Sequence, residues 1–155
     1  MINRIIRLGQ NKHSNMNRNN YPKHPSRVGK ERIVYEYFRR IKNKDIDGVL
    51  NLFANDAIIY EPFSNISEGL EGKDSIRPFL DVVIMATEGM KDEIEFEKAQ
   101  DANEEEDQTV GALVTFERGG KTQARYTFEL ISRQEQYDYT DVGKKIQTLR
   151  IEFIK

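Results

Sequence analysis

The run Asp56-Ala-Ile-Ile-Tyr-Glu-Pro closes an apolar, strand-like stretch with Glu61, set directly before Pro62. A glutamate in a pocket wall is a candidate general base, because desolvation raises its pKa toward neutrality, where it can take up and return a proton. The plainer reading is a strand-end carboxylate bonded to a nearby amide or to Arg125 or Arg150. Two tyrosines can stand near such a group. Tyr37 falls on a helical apolar stripe, so its hydroxyl points inward, as a donor to a ligand or to a backbone partner. Tyr126 shares inward strand parity with Ala124, Phe128 and Leu130, while Glu129 has the opposite parity and should face outward. Tyr60 alternates to the face opposite Glu61, and Arg150 points outward if Leu149, Ile151 and Phe153 are core.

Other chemistries lack their residues. With no cysteine in 155 residues there is no disulfide, thiolate nucleophile or cysteine metal site, which suits a reducing cytoplasm. Both histidines, His13 and His24, lie near the N-terminus, so the remainder holds no histidine triad and no histidine metal site. Glycine-rich phosphate loops and G-x-S-x-G elbows are missing. The segment beginning at Asp101 imitates a calcium loop, but Glu106 stands where glycine is needed and Ala112 where the bidentate glutamate is needed. No cofactor and no metal is expected. The Asn65-Ile-Ser sequon carries weight only in a secreted chain, and no signal peptide is read at the N-terminus.

Three helices and a run of strands must position the candidate groups. Ile33, Val34, Tyr37, Phe38 and Ile41 make one helical stripe, with Arg39, Arg40 and Lys42 on the opposite face. Asp45 is a candidate N-cap for a second helix carrying Ile46, Val49, Leu50 and Phe53. The strand AIIYE follows and ends at Pro62, which cannot donate to a ladder. Asp74 or Ser75 should cap a third helix through Phe79, Val83 and Met85, ended by Gly89. The period then changes. DEIEFEKAQ, QTVGALVTFER, KTQARYTFELISR and KKIQTLRIEFIK alternate apolar and polar residues, a meander of four antiparallel strands with Gly119-Gly120 as a two-residue hairpin. The class is α+β: a cone-shaped roll of three N-terminal helices on a curved, antiparallel, mixed-edge sheet.

Charge divides the chain. Residues 1–30 hold seven of the 24 Lys and Arg and none of the 26 Asp and Glu, leaving 17 cations against 26 anions beyond, a net of −9. Residues 1–28 therefore read as a basic, Asn-rich tail, disordered to about Val28 and ahead of one domain over 29–155. One aromatic, Tyr21, gives the tail no stacking pattern, so no nucleic-acid partner is expected. No apolar run approaches the roughly 20 residues of a membrane helix.

The segments YFRRIKNKDIDGVLNLFANDAIIYEP, GLEGKDSIRPFL and VGKKIQTLRIEF, in this order and spacing, resemble the NTF2-like superfamily in its SnoaL-like and ketosteroid-isomerase-like branch. The likeness spans nearly all of residues 30–155. It implies a cone with a mostly apolar pocket for a hydrophobic small molecule, often a homodimer. Compared residue by residue with ketosteroid isomerase, Tyr37 falls on the oxyanion-hole tyrosine and Glu61 on the general-base aspartate. That enzyme adds a protonated aspartic acid as a second donor; the matching position here is Tyr126 or Phe128, neither of them an acid.

The resemblance implies two functions. One is an isomerase-like enzyme, or a related lyase or cyclase, using Glu61 as base and Tyr37, aided by Tyr126, as hydrogen-bond donor on a hydrophobic carbonyl compound. The other is a non-catalytic ligand-binding or dimerising scaffold. The long strands, with Leu149, Ile151 and Phe153 near the end, suggest pairing through the sheet.

Overall fold

The computed structural model describes residues 5–8, 25–64, 66–97, 108–132 and 144–154. Helix α1 (Pro25–Lys42) starts on a proline, whose missing N–H costs nothing at a first position, and ends on Arg39, Arg40 and Lys42, cations that suit the negative helix end. The stripe read from the sequence is its core face: Ile33, Val34, Tyr37, Phe38 and Ile41 are all buried. Helix α2 (Ile46–Leu50) is capped by Asp45, whose side chain accepts from the Gly48 N–H at 3.0 Å. The cap depends on glycine there, since a Cβ at residue 48 would lie 2.0 Å from Asp45 Oδ2 and push the carboxylate off the N–H.

Strand β2 (Phe53–Tyr60) begins earlier than the sequence suggests, taking Phe53 from the helix to which the apolar pattern assigned it. It runs parallel to the last strand with a bulge between Phe53 and Ile58, which lets Phe53, Ala54 and Ala57 all be buried. After the short strand β3 (Leu70–Glu71) comes helix α3 (Lys73–Thr87). Neither Asp74 nor Ser75 caps it. The N-cap is Gly72 at φ 85°, whose carbonyl accepts from the Ser75 and Ile76 N–H groups at 3.1 and 3.0 Å. Backbone thus does the capping, and only glycine takes that φ cheaply. Past Thr87 the chain turns at Gly89, φ 78°.

The meander follows as read: β4 (Lys91–Phe96), β5 (Thr109–Glu117), β6 (Lys121–Ser132) and β7 (Lys144–Ile154), each antiparallel to the next. Glu117 pairs with Lys121, so the hairpin loop is the three residues 118–120, not two, with Gly119 at φ 69°. The sheet, in the order β1-β4-β5-β6-β7-β2-β3, is antiparallel except at β7-β2. Its α+β class and curved, mixed-edge form are those expected. Helix α1 packs on β5 and β7, and α3 on β2 and β3, all from one side.

In two places the structure differs from the expected tail over residues 1–28. Strand β1 (Ile5–Leu8) pairs antiparallel with β4, and α1 already includes Pro25 to Val28. The remainder of that segment lies outside the described residues, as do the central residues of the calcium-loop imitation. No helix among the described residues is long and apolar enough to cross a membrane.

The outer sheet face is not the apolar surface that Leu149, Ile151 and Phe153 suggest. Leu149 and Ile151 are buried on the helix-covered side. A register shift between Glu129 and Leu130 absorbs the three-residue step from Ile146 to Leu149 and keeps these residues on one face. Of the three only Phe153 is exposed, in edge-to-face contact with Phe63. The uncovered face carries Arg125, Glu129, Arg150 and Glu152 as the alternation requires.

Candidate functional site

One cleft opens between the C-terminal halves of α1 and α3 and the inner face of β4, β5 and β6. It is lined by Tyr37, Phe38, Ile41 and Lys42 from α1, Val83 and Thr87 from α3, Asp92 from β4, Phe116 from β5 and Tyr126 from β6. The sequence brings these groups together through two periods. Residues 37, 38, 41 and 42 are neighbours along one helix surface, and Asp92, like Tyr126, has inward strand parity. Aromatic rings fill most of the cone: Tyr126 lies 5.0 Å from Phe38 edge-on, 6.3 Å from Tyr37 and 6.2 Å from Phe128 in a stack. The space left is about 20 Å³, room for one water or a similarly small group but not for a ring.

The cleft is polar where it matters. The Tyr37 hydroxyl is buried without a hydrogen-bond partner among the described residues. Burial pushes its pKa well above the usual tyrosine range, and Tyr126 adds to the shift. The Tyr126 hydroxyl is raised as well, first by burial and then by the negative charge of Asp92. Both phenols are therefore neutral donors at any ordinary pH. Asp92 is 9% exposed. Its Oδ1 accepts from Lys42 Nζ at 3.3 Å, while the same ammonium donates to the Met90 carbonyl at 3.2 Å. Burial raises the Asp92 carboxyl above its ordinary value, and Lys42 offsets only part of that. The arrangement presents three donors and one reluctant anion, so it can hold an acceptor oxygen and can exchange a proton near it.

The sequence-predicted site residues divide. Tyr37 and Tyr126 meet in the cleft, and Phe128 packs beneath them. Glu61 is not among the lining residues. Pro62 stops β2 at Tyr60, the chain turns, and the Glu61 carboxylate folds over its own turn. It accepts from the Phe63 N–H at 2.6 Å, the Ser64 N–H at 3.2 Å and the Ser64 hydroxyl. Neither arginine weighed as its partner binds it: Arg125 pairs with Glu97 at 3.0 Å, and the Arg150 guanidinium lies 4.3 Å over the Tyr60 ring. Sequence reasoning missed Asp92 and Lys42. The signal was in KDEIEF, where an acid takes the same parity as the buried Ile94 and Phe96.

No protein-family model and no curated protein matches the chain. Solved structures do. The epoxide hydrolase/cyclase-like enzyme SalBIII, described for pyran ring formation in the polyether salinomycin, aligns over 84% of this chain and 95% of its own, with TM-score 0.59 and 20% identity. A ketosteroid isomerase-like protein from Erwinia carotovora atroseptica gives 0.57 at 15% identity, over 81% and 93% of the two chains. An NTF2-like protein from Pseudomonas putida gives 0.54 at 14% identity, over 79% and 82%. At such identities the likeness establishes the fold and nothing of the chemistry.

Proposed function

Because this chain has the NTF2-like fold, the scaffold of ligand-binding and isomerase-like proteins, we propose that it binds a small hydrophobic carbonyl compound, head first, in the cleft of Tyr37, Tyr126 and Asp92. One observation carries the reading: a fully buried Tyr37 hydroxyl has no partner among the described residues, and Tyr37 lines the cleft. A buried donor left unsatisfied costs roughly 1–3 kcal/mol, which an acceptor oxygen on a ligand recovers. The 20 Å³ of space takes the carbonyl oxygen. The apolar remainder of the ligand stays at the mouth, against Val83 and Phe116.

A second reading, isomerase-like proton transfer beside that carbonyl, is favoured by the presence of one carboxylate in the cleft. In this reading Asp92 is the base, since the oxygens of Glu61 are taken by its own turn. The binding proposal is tested by NMR titration with cyclohexanone. Tyr37→Phe is expected to weaken binding about tenfold, in line with one hydrogen bond of about 1.4 kcal/mol. Equal binding by the variant, or none by the natural chain at tens of millimolar, refutes it.

A further inference from the structure

The donors of the cleft outnumber its acceptors. Tyr37 Oη, Tyr126 Oη and Lys42 Nζ donate, and the carboxylate among the lining residues, Asp92, is buried where its charge is disfavoured. A head group with a single neutral acceptor uses one of these donors; a carboxylate can use two or more. A ligand carboxylate would, however, lie beside the Asp92 carboxylate, and two like charges at van der Waals distance in a desolvated site do not both stay ionised.

We infer that the compound this cleft selects is a small hydrophobic carboxylic acid, bound as its anion together with one proton that Asp92 takes up from solvent. The inference rests on the cleft being the binding site. In the complex one ligand oxygen accepts from the Tyr37 hydroxyl, and the other shares the proton carried by Asp92, while Lys42 balances the remaining negative charge. The only covalent change is one proton transfer: the O–H to Asp92 forms as the buffer acid in solution gives up its proton.

The titratable and charged groups facing Asp92 are Lys42 and Tyr37 from α1 and Tyr126 from β6. Of the other elements packed against it, β1 pairs Leu8 with Asp92, β5 presents Phe116 and α3 presents Val83 and Thr87, none of which titrates. Since both phenols stay neutral, Asp92 is the group that sets the pH dependence. Affinity for the anion therefore falls as pH rises through the Asp92 titration, approaching tenfold per unit above it, the limit for one linked proton.

The test compares cyclohexanecarboxylate with cyclohexanone on the full chain between pH 5 and 8, by NMR titration and by calorimetry in two buffers of different ionisation heat. The carboxylate is expected to bind with uptake of up to one proton and a falling pH profile. Asp92→Asn, which donates without titrating, should bind it with a flat profile. If that variant does not fold, proton uptake by the natural chain decides alone. A flat profile or no proton uptake in the natural chain overturns the inference, as does retention of the full pH dependence in Asp92→Asn. Binding of cyclohexanone but not the carboxylate overturns it while leaving the carbonyl-binding proposal standing. Binding of neither overturns both.

Discussion

Replacing Tyr37 by Phe removes one oxygen and leaves the ring where it is, held by Phe38 at 5.0 Å, Phe128 at 5.7 Å and Phe53 and Tyr126 at 6.3 Å. Most buried polar substitutions cost stability; this one should return it. The lost oxygen has no hydrogen-bond partner among the described residues, and its burial penalty, roughly 1–3 kcal/mol, disappears with it. Against that stands a slightly larger void. An oxygen adds on the order of 10 Å³, which at about 24 cal/mol per Å³ costs about 0.2 kcal/mol. The net expectation is a gain of about 1–3 kcal/mol. In a domain of this size each kcal/mol moves the melting temperature by roughly 2–4 °C. Urea and thermal unfolding followed by far-UV circular dichroism measure it. A loss of about 1 kcal/mol or more would mean that the hydroxyl already has a partner in the folded chain. The donor role assigned to Tyr37 would then fall.

Asp92 gives a pH prediction whose sign follows from its raised pKa. The folded state holds this proton more tightly than the unfolded chain, so its contribution is full below the ordinary value of 3.8 and is lost as pH rises through the higher folded value. Asp92→Asn should flatten that part of the stability curve, and an unchanged slope in urea midpoints between pH 4 and 7 would contradict it. Glu61→Gln should cost about 1 kcal/mol through the Glu61–Ser64 turn and leave ligand affinity within twofold; a large loss of binding would return Glu61 to the site. Gly72→Ala forces a side chain to φ 85° at the N-cap of α3 and should lower stability by about 1–2 kcal/mol, seen as a lower urea midpoint.

Periodicity carried most of the architecture. The α1 stripe, the Asp45 cap and the four-strand meander are local or alternating patterns, and such patterns state which face is buried before any partner is known. The inward positions of Tyr37 and Tyr126 followed from the same rule. The parallel pairing of β2 with β7 did not, because nothing in Phe53–Tyr60 names a partner more than eighty residues away. Nor did the backbone capping of α3, since Asp74 and Ser75 are as good by composition as Gly72 and lose only once the Gly72 N–H is held by the Ala57 carbonyl at 2.8 Å and the chain enters the helix at φ 85°.

The site divides along the same line. That Glu61 stands at the end of a strand was legible; that its carboxylate closes its own turn was not, because side-chain direction past a strand end has no parity to follow. Asp92 was legible in principle from the alternation of KDEIEF. Only the tertiary structure could make it matter, by bringing α1's Lys42 to 3.3 Å and β6's Tyr126 alongside. Sequence by itself determines which groups turn inward, since that depends on period and local backbone. Which inward groups meet, and how much space they leave one another, is decided by packing between elements distant in the chain.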